Sequence, residues 1–141
     1  MRALPALGWG GCSLSCCWSG FVDVGQNRAV VVSFNLEAIA TIKALDASIR
    51  TGALFALARG GKGWRAEKII KGSLDSGADE ILLHRLLARP KLIAKAIDAN
   101  LPIVVWTVDD SKWISRAETL GIRALITNDP AKLLSYRRNM R

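Results

Sequence analysis

Five short apolar runs constrain this chain more than any other feature: RAVVVSF (28–34), GALFAL (52–57), ADEILLH (78–84), LPIVVWTV (101–108) and IRALIT (122–127). Each is too short for a typical helix, rich in β-branched residues or leucine, and apolar at consecutive rather than alternate positions. Such runs are strands buried on both faces, the pattern of a parallel sheet.

The intervening segments carry helical period and helix punctuation. Asn35 is a good N-cap for a helix whose stripe is Ala38, Ile42, Leu45 and Ile49, with Thr51-Gly52 ending it. A weaker helix is expected around 64–74, and residues 90–100 place Leu92, Ile93, Ala96 and Ile97 on one face. Asp110-Ser111 precedes a helix with Trp113, Ala117 and Leu120 as its stripe, stopped by Gly121. Asp129-Pro130 sets an N-cap before a proline in the first turn of PAKLLSYRRN. Repeated βα units with short loops predict an α/β domain with right-handed crossovers.

Residues 1–28 differ. They are rich in Gly, Cys, Trp and Ser, follow neither period, and are expected to be an irregular, poorly ordered leader on a domain spanning 29–141. All three cysteines (Cys12, Cys16, Cys17) fall there, in a C-x3-C-C spacing unlike a zinc C-x2-C, and the chain has one histidine. An odd, clustered set is no disulfide framework, so a reducing, cytoplasmic setting is expected. Pro5, Gly8, Gly10 and Gly11 interrupt any signal-peptide core. No apolar run approaches the roughly 18–20 residues of a membrane span. A net charge of +8 favours anionic partners such as phosphate esters, anionic lipid surfaces or nucleic acid. The absence of any block of about five or six like charges, and of an arginine–aromatic ladder, argues against dedicated nucleic-acid binding.

VVSFN (31–35), GALFA (52–56), VVWTVDD (104–110) and GIRALITNDP (121–130) occur in series, each at a predicted strand end. In order and spacing they resemble the C-terminal half of the glycerophosphodiester phosphodiesterase family, over Arg28 to Leu134. The resemblance implies a partial TIM (β/α)8 barrel, the later βα units of a phospholipase-C-like phosphodiesterase barrel. A full barrel of this type takes about 250 residues. The family's chemistry is metal-assisted hydrolysis of glycerophosphodiesters to glycerol 3-phosphate and an alcohol, a step of lipid metabolism. A divalent cation (Mg or Ca) offsets phosphoryl charge while histidines move protons. The early motifs that carry those groups (H-R-G, P-E-N-T, E-x-D, H-D and E-x-K) have no counterpart here, and upstream of Arg28 there is no histidine and one acid, Asp23. The expectation is therefore a family member without its front half, through gene truncation or a wrong start, retaining no catalytic residue, metal ligand or cofactor and incompetent as a hydrolase alone.

The surviving candidates divide by chemistry. Trp106, at a strand's C-terminal end, can wall a pocket and pack on a glycerol or alcohol moiety, and the resemblance also puts a tryptophan there. Phe34 can line the same pocket, while Ser33 suits a backbone hydrogen bond. Asp109 and Asp110 read as helix-capping groups, since the family often has Asn at the position of Asp109. His84 alone cannot assemble two-histidine chemistry and reads as a rim residue. Asp129 reads as a cap, with Asn128 an extra residue or a shifted match against the family's T-D-x-P. ARGGKGW (58–64) lacks the G-x-x-x-x-G-K-[ST] pattern, which leaves Arg59 and Lys62 on a solvated loop. YRRNMR suits a helix C-terminus by its charge.

Part of a barrel leaves sheet edges and an apolar interior layer open. Three outcomes are expected: self-association through the open edges, recruitment of the leader as an extra strand, or instability. Two functions remain in play. One is a phosphodiesterase-family protein that meets a glycerophosphodiester-like small molecule; the other is a non-catalytic basic α/β module for anionic ligands or a partner protein.

Overall fold

The computed structural model describes residues 2–5, 29–57 and 64–139. The chain runs β1 (Arg2–Pro5), β2 (Val31–Ser33), α1 (Leu36–Leu45), β3 (Thr51–Phe55), α2 (Ala66–Asp75), β4 (Glu80–His84), α3 (Pro90–Asp98), β5 (Ile103–Trp106), α4 (Lys112–Leu120), β6 (Ala124–Thr127) and α5 (Pro130–Asn139). All five predicted strands are present and lie parallel, in the order β6-β5-β4-β3-β2.

Alternation along the strands decides the class of α/β fold. Ala53, Phe55, Ile81, Leu83, Ile103, Val105 and Leu125 point to one face and join Ile39, Ile69, Leu92, Ile93, Ala96 and Ala117 of α1–α4 in a single core. Leu54, Leu82, Val104, His84 and Trp106 take the opposite face by the two-residue period. Helices on one face only are what a barrel wall requires, whereas a doubly wound sheet has them on both. The sheet also curves. β2 and β5 are three strand spacings apart, about 14 Å along a flat sheet, yet Phe34, just past β2, brings its ring within 6.0 Å of Trp106 at the end of β5. The fold is a partial (β/α)8 barrel.

The helices start and stop largely where the sequence says. Asn35 Oδ1 accepts the Glu37 N–H (2.9 Å), Pro90 and Pro130 open their helices, and Gly121 ends α4 with φ 70°. Two expectations fail. α1 stops at Leu45, which is 82% exposed, and Ile39 is its buried residue. Asp46 Oδ1 accepts both the N–H and the hydroxyl of Ser48, and Lys43 Nζ donates to the carbonyls of Ala47 and Ile49. That turn takes Ile49 off the helix and leaves Thr51-Gly52 inside β3. Ile97 of α3 is 45% exposed, beyond the face formed by Leu92, Ile93 and Ala96.

β1 pairs antiparallel with β6, with Arg2 opposite Thr127 and Pro5 opposite Ala124. Recruitment of leader residues is thus the outcome seen at the β6 edge. Residues 6–28, with the three cysteines, lie outside the described residues, as do Arg59, Lys62 and the final Met140 and Arg141. No helix among the described residues is long and apolar enough to cross a membrane.

Candidate functional site

In a parallel barrel wall the C-terminal strand ends and the loops after them form one rim, where such folds carry their chemistry. Here the rim holds Phe34 after β2, Trp64 beyond β3, His84 ending β4, Trp106 ending β5, and Thr127 ending β6 with Asn128-Asp129 after it. Trp106 is the centre of the aromatic part. His84 stands opposite it across the strand pair, ring centroids 5.3 Å apart at 85°, and Phe34 also meets it edge-on at 69°. Phe34 is 60% exposed, so the aromatic wall has an accessible lip. Phe34 and Trp106 are therefore brought together at the rim.

Several polar atoms of this rim have partners within the chain. Ser33 Oγ accepts the Asn35 N–H at 3.0 Å, as its backbone role predicts. His84 Nδ1 accepts a long bond (3.4 Å) from the Leu86 N–H, and burial together with nearby Arg85 lowers the imidazole's pKa. Both effects favour the neutral imidazole. The Trp106 indole N–H is buried and has no acceptor, a state that costs about 1–3 kcal/mol. The Trp106–Thr107 peptide is cis.

The two aspartates after β5 separate. Asp110 Oδ1 accepts the Lys112 N–H at 2.9 Å, the capping role expected of it. Asp109 does not cap α4. Its Oδ1 accepts the Thr127 hydroxyl (2.8 Å) and the Asn128 N–H (2.9 Å), and its Oδ2 accepts the Asn128 side-chain amide (3.0 Å). Those donors, led by the Asn128 backbone N–H, hold the Asp109 carboxyl below the usual carboxylate range. Asn128, by motif an extra residue or a shifted match, is thus Asp109's main partner. Asp129 caps α5 through the Lys132 N–H at 3.0 Å, as predicted.

Reading by sequence missed three arrangements. Trp64 packs edge-on against Phe55 at 5.4 Å and donates its indole N–H to the Ala56 carbonyl. At the opposite, N-terminal ends of the strands, buried Glu80 accepts from Arg50 and Arg123, while Asp79 pairs with Lys43 at 2.7 Å and accepts the Thr51 N–H. Burial pushes the Glu80 carboxyl up against the opposing pull of Arg123 and Arg50. A signal existed for this cluster: two acids opening a strand as apolar as ILLH need partners, because buried charge is rarely left unpaired.

This rim does not fit a divalent cation. No three His, Cys, Asp or Glu side chains converge among the described residues, and both oxygens of Asp109 are occupied by N–H and O–H donors.

A one-sided parallel α/β wall with aromatic side chains along its C-terminal rim defines a partial barrel of the TIM class. The model of the glycerophosphoryl diester phosphodiesterase family matches residues 13–132, and the chain belongs to that family. No curated relative matches the sequence. Among solved structures, a candidate glycerophosphoryl diester phosphodiesterase from Silicibacter pomeroyi DSS-3 is 22% identical with a TM-score of 0.67, over 80% of this chain and 39% of that one. A candidate glycerophosphodiester phosphodiesterase from Galdieria sulphuraria gives 22% and 0.67, over 81% and 45%. A phosphodiesterase from Oleispira antarctica, solved in complex with the product sn-glycerol-3-phosphate, gives 17% and 0.62, over 77% and 41%. This chain spans less than half the length of each.

Proposed function

We propose that this chain supplies the glycerol-side wall of a glycerophosphodiester pocket, with Trp106 and Phe34 packing on the glycerol moiety, and that it binds the ligand without hydrolysing it. The observation that carries the reading is the convergence of Phe34 and Trp106, rings 6.0 Å apart, on the concave rim from strands that are not neighbours. Membership of the phosphodiesterase family and the product held by the Oleispira relative supply the ligand class. A net charge of +8 attracts a phosphate ester to the surface.

Hydrolysis of a diester asks for one group to take a proton from water and another to give one to the leaving alcohol. His84 is the chain's one histidine, so it can fill one role and has no imidazole partner for the other. The test pairs calorimetry with an activity assay on the purified chain. Binding of glycerol 3-phosphate that Trp106→Ala abolishes, with no release of glycerol 3-phosphate from glycerophosphocholine in Mg²⁺ or Ca²⁺, is the expected result. Turnover well above buffer would overturn the non-hydrolytic half, and binding untouched by Trp106→Ala would overturn the aromatic wall.

A further inference from the structure

We propose that Asp109 is a positioning residue for the pocket wall: its carboxylate clasps the loop after β5 to the end of β6 and so fixes where the Trp106 ring stands. The proposal rests on the pocket reading above for its ligand but on separate geometry for its mechanism. Three of the contacts that hold the chain from Trp106 to Asp109 bear on the ring's position. The Trp106 carbonyl accepts the Arg85 N–H at 2.7 Å, and the buried Val108 donates its N–H to the Ile126 carbonyl at 2.8 Å. The third point is Asp109 itself, with three donors from Thr127 and Asn128.

The third anchor differs from the others in kind. β5 and β6 pair in register at Val104–Ala124 and Val105–Leu125, so the regular ladder ends before Trp106. Beyond Val108, side-chain bonds take over the work of the ladder. The Thr127 hydroxyl donates to Asp109 and accepts the Asp129 N–H at 3.1 Å, which passes the clasp on to the start of α5. Thr127 is fully buried, so its hydroxyl has a fixed direction. A carboxylate suits this place because it accepts all three bonds at once, and bonds to a charged acceptor are the stronger kind.

The test uses the full chain labelled with ¹⁵N, following the indole N–H signal of Trp106 among the chain's five tryptophans, assigned through Trp106→Phe. Asp109→Ala is expected to shift that signal, to speed its exchange with solvent, and to weaken glycerol 3-phosphate binding about tenfold, the scale of losing hydrogen bonds to a charged acceptor. Asp109→Asn keeps a carbonyl oxygen for Thr127 and the Asn128 N–H, and should restore the signal and bring affinity within about threefold. Should Asp109→Ala fail to fold, Asn128→Ala removes one bond at an exposed side chain and should move the same signal less, in the same direction. An indole signal unchanged in Asp109→Ala, or in Asn128→Ala where that stands in, overturns the proposal. Should glycerol 3-phosphate bind nowhere on the unsubstituted chain, the pocket reading fails, while the indole signal still decides the positioning role.

Discussion

Gly52 lies in the middle of the concave face, and the fold predicts a measurable cost for giving it a side chain. A Cβ at this position would overlap Leu82 Cδ1 and stand 3.0 Å from Val32 Cγ1 and 3.4 Å from Glu80 Cγ. Leu82 is 4% exposed, so it has little room to rotate away. Forcing one extra methyl into packed surroundings costs about 1–3 kcal/mol, and Ala returns about 0.5 kcal/mol by lowering the entropy of the unfolded chain. Gly52→Ala should therefore destabilise by about 0.5–2.5 kcal/mol, centred on about 1.5, some 5 °C in Tm for a chain of this length. Leu82→Ala alone should cost about 2–3 kcal/mol. Combined, the two should cost about 2 kcal/mol less than their sum, because the truncated leucine vacates the space the new methyl needs. Urea unfolding followed by far-UV circular dichroism measures all three. A Gly52→Ala protein within about 0.5 kcal/mol of the parent, or strict additivity, would refute the packing of this face.

The remaining expectations concern charge and edges. Glu80→Ala should cost about 2 kcal/mol in the same urea assay, because it leaves Arg50 and Arg123 without their shared carboxylate; the value sits below the usual loss for a buried pair because both guanidiniums reach solvent. No change in midpoint would show that the pair is idle. Asp109 has a folded pKa below its unfolded one, so its contribution is present above about pH 4 and disappears as pH falls through the lowered value. Asp109→Asn should flatten the acid limb of a stability–pH profile, and a profile parallel to the parent's would contradict the clasp. Among the described residues β2 pairs on one side only, with β3, and the Val31 N–H points inward to the Arg50 carbonyl, so strand alternation turns the Val32 N–H outward. Light scattering should show concentration-dependent association that Val32→Pro suppresses; a monomer at all concentrations would rule out that edge as the contact.

Much of the fold is legible in the sequence, for identifiable reasons. The strands stand out because burial on both faces demands unbroken apolar runs such as IVV and ILL, and Asn35, Pro90, Gly121 and Pro130 mark helix ends by local chemistry that needs no tertiary partner. Side-chain stripes are less secure where a turn intervenes. The Ala38–Ile42–Leu45–Ile49 spacing is a sound helical pattern, but Asp46 and Ser48 close a turn that removes Ile49 from it. For the site, Trp106 and Phe34 are readable as strand-end aromatics. Their meeting is not, because it depends on sheet curvature, a property of the strands together. Asp109 shows the same limit: beside a helix start it looks like a cap, and its true partners sit 18 and 19 positions along the chain.

β1 has a consequence for any attempt to build a full ring from this chain. The outer row of backbone groups on β6 is where a parallel strand would have to hydrogen-bond to close a barrel, and residues 2–5 occupy it in the opposite direction. A closing strand and β1 are therefore mutually exclusive occupants of one template. Mixing this chain with a segment that supplies missing strands is thus a displacement reaction. Its apparent affinity should fall with the stability of the β1–β6 pairing and rise when residues 1–5 are deleted.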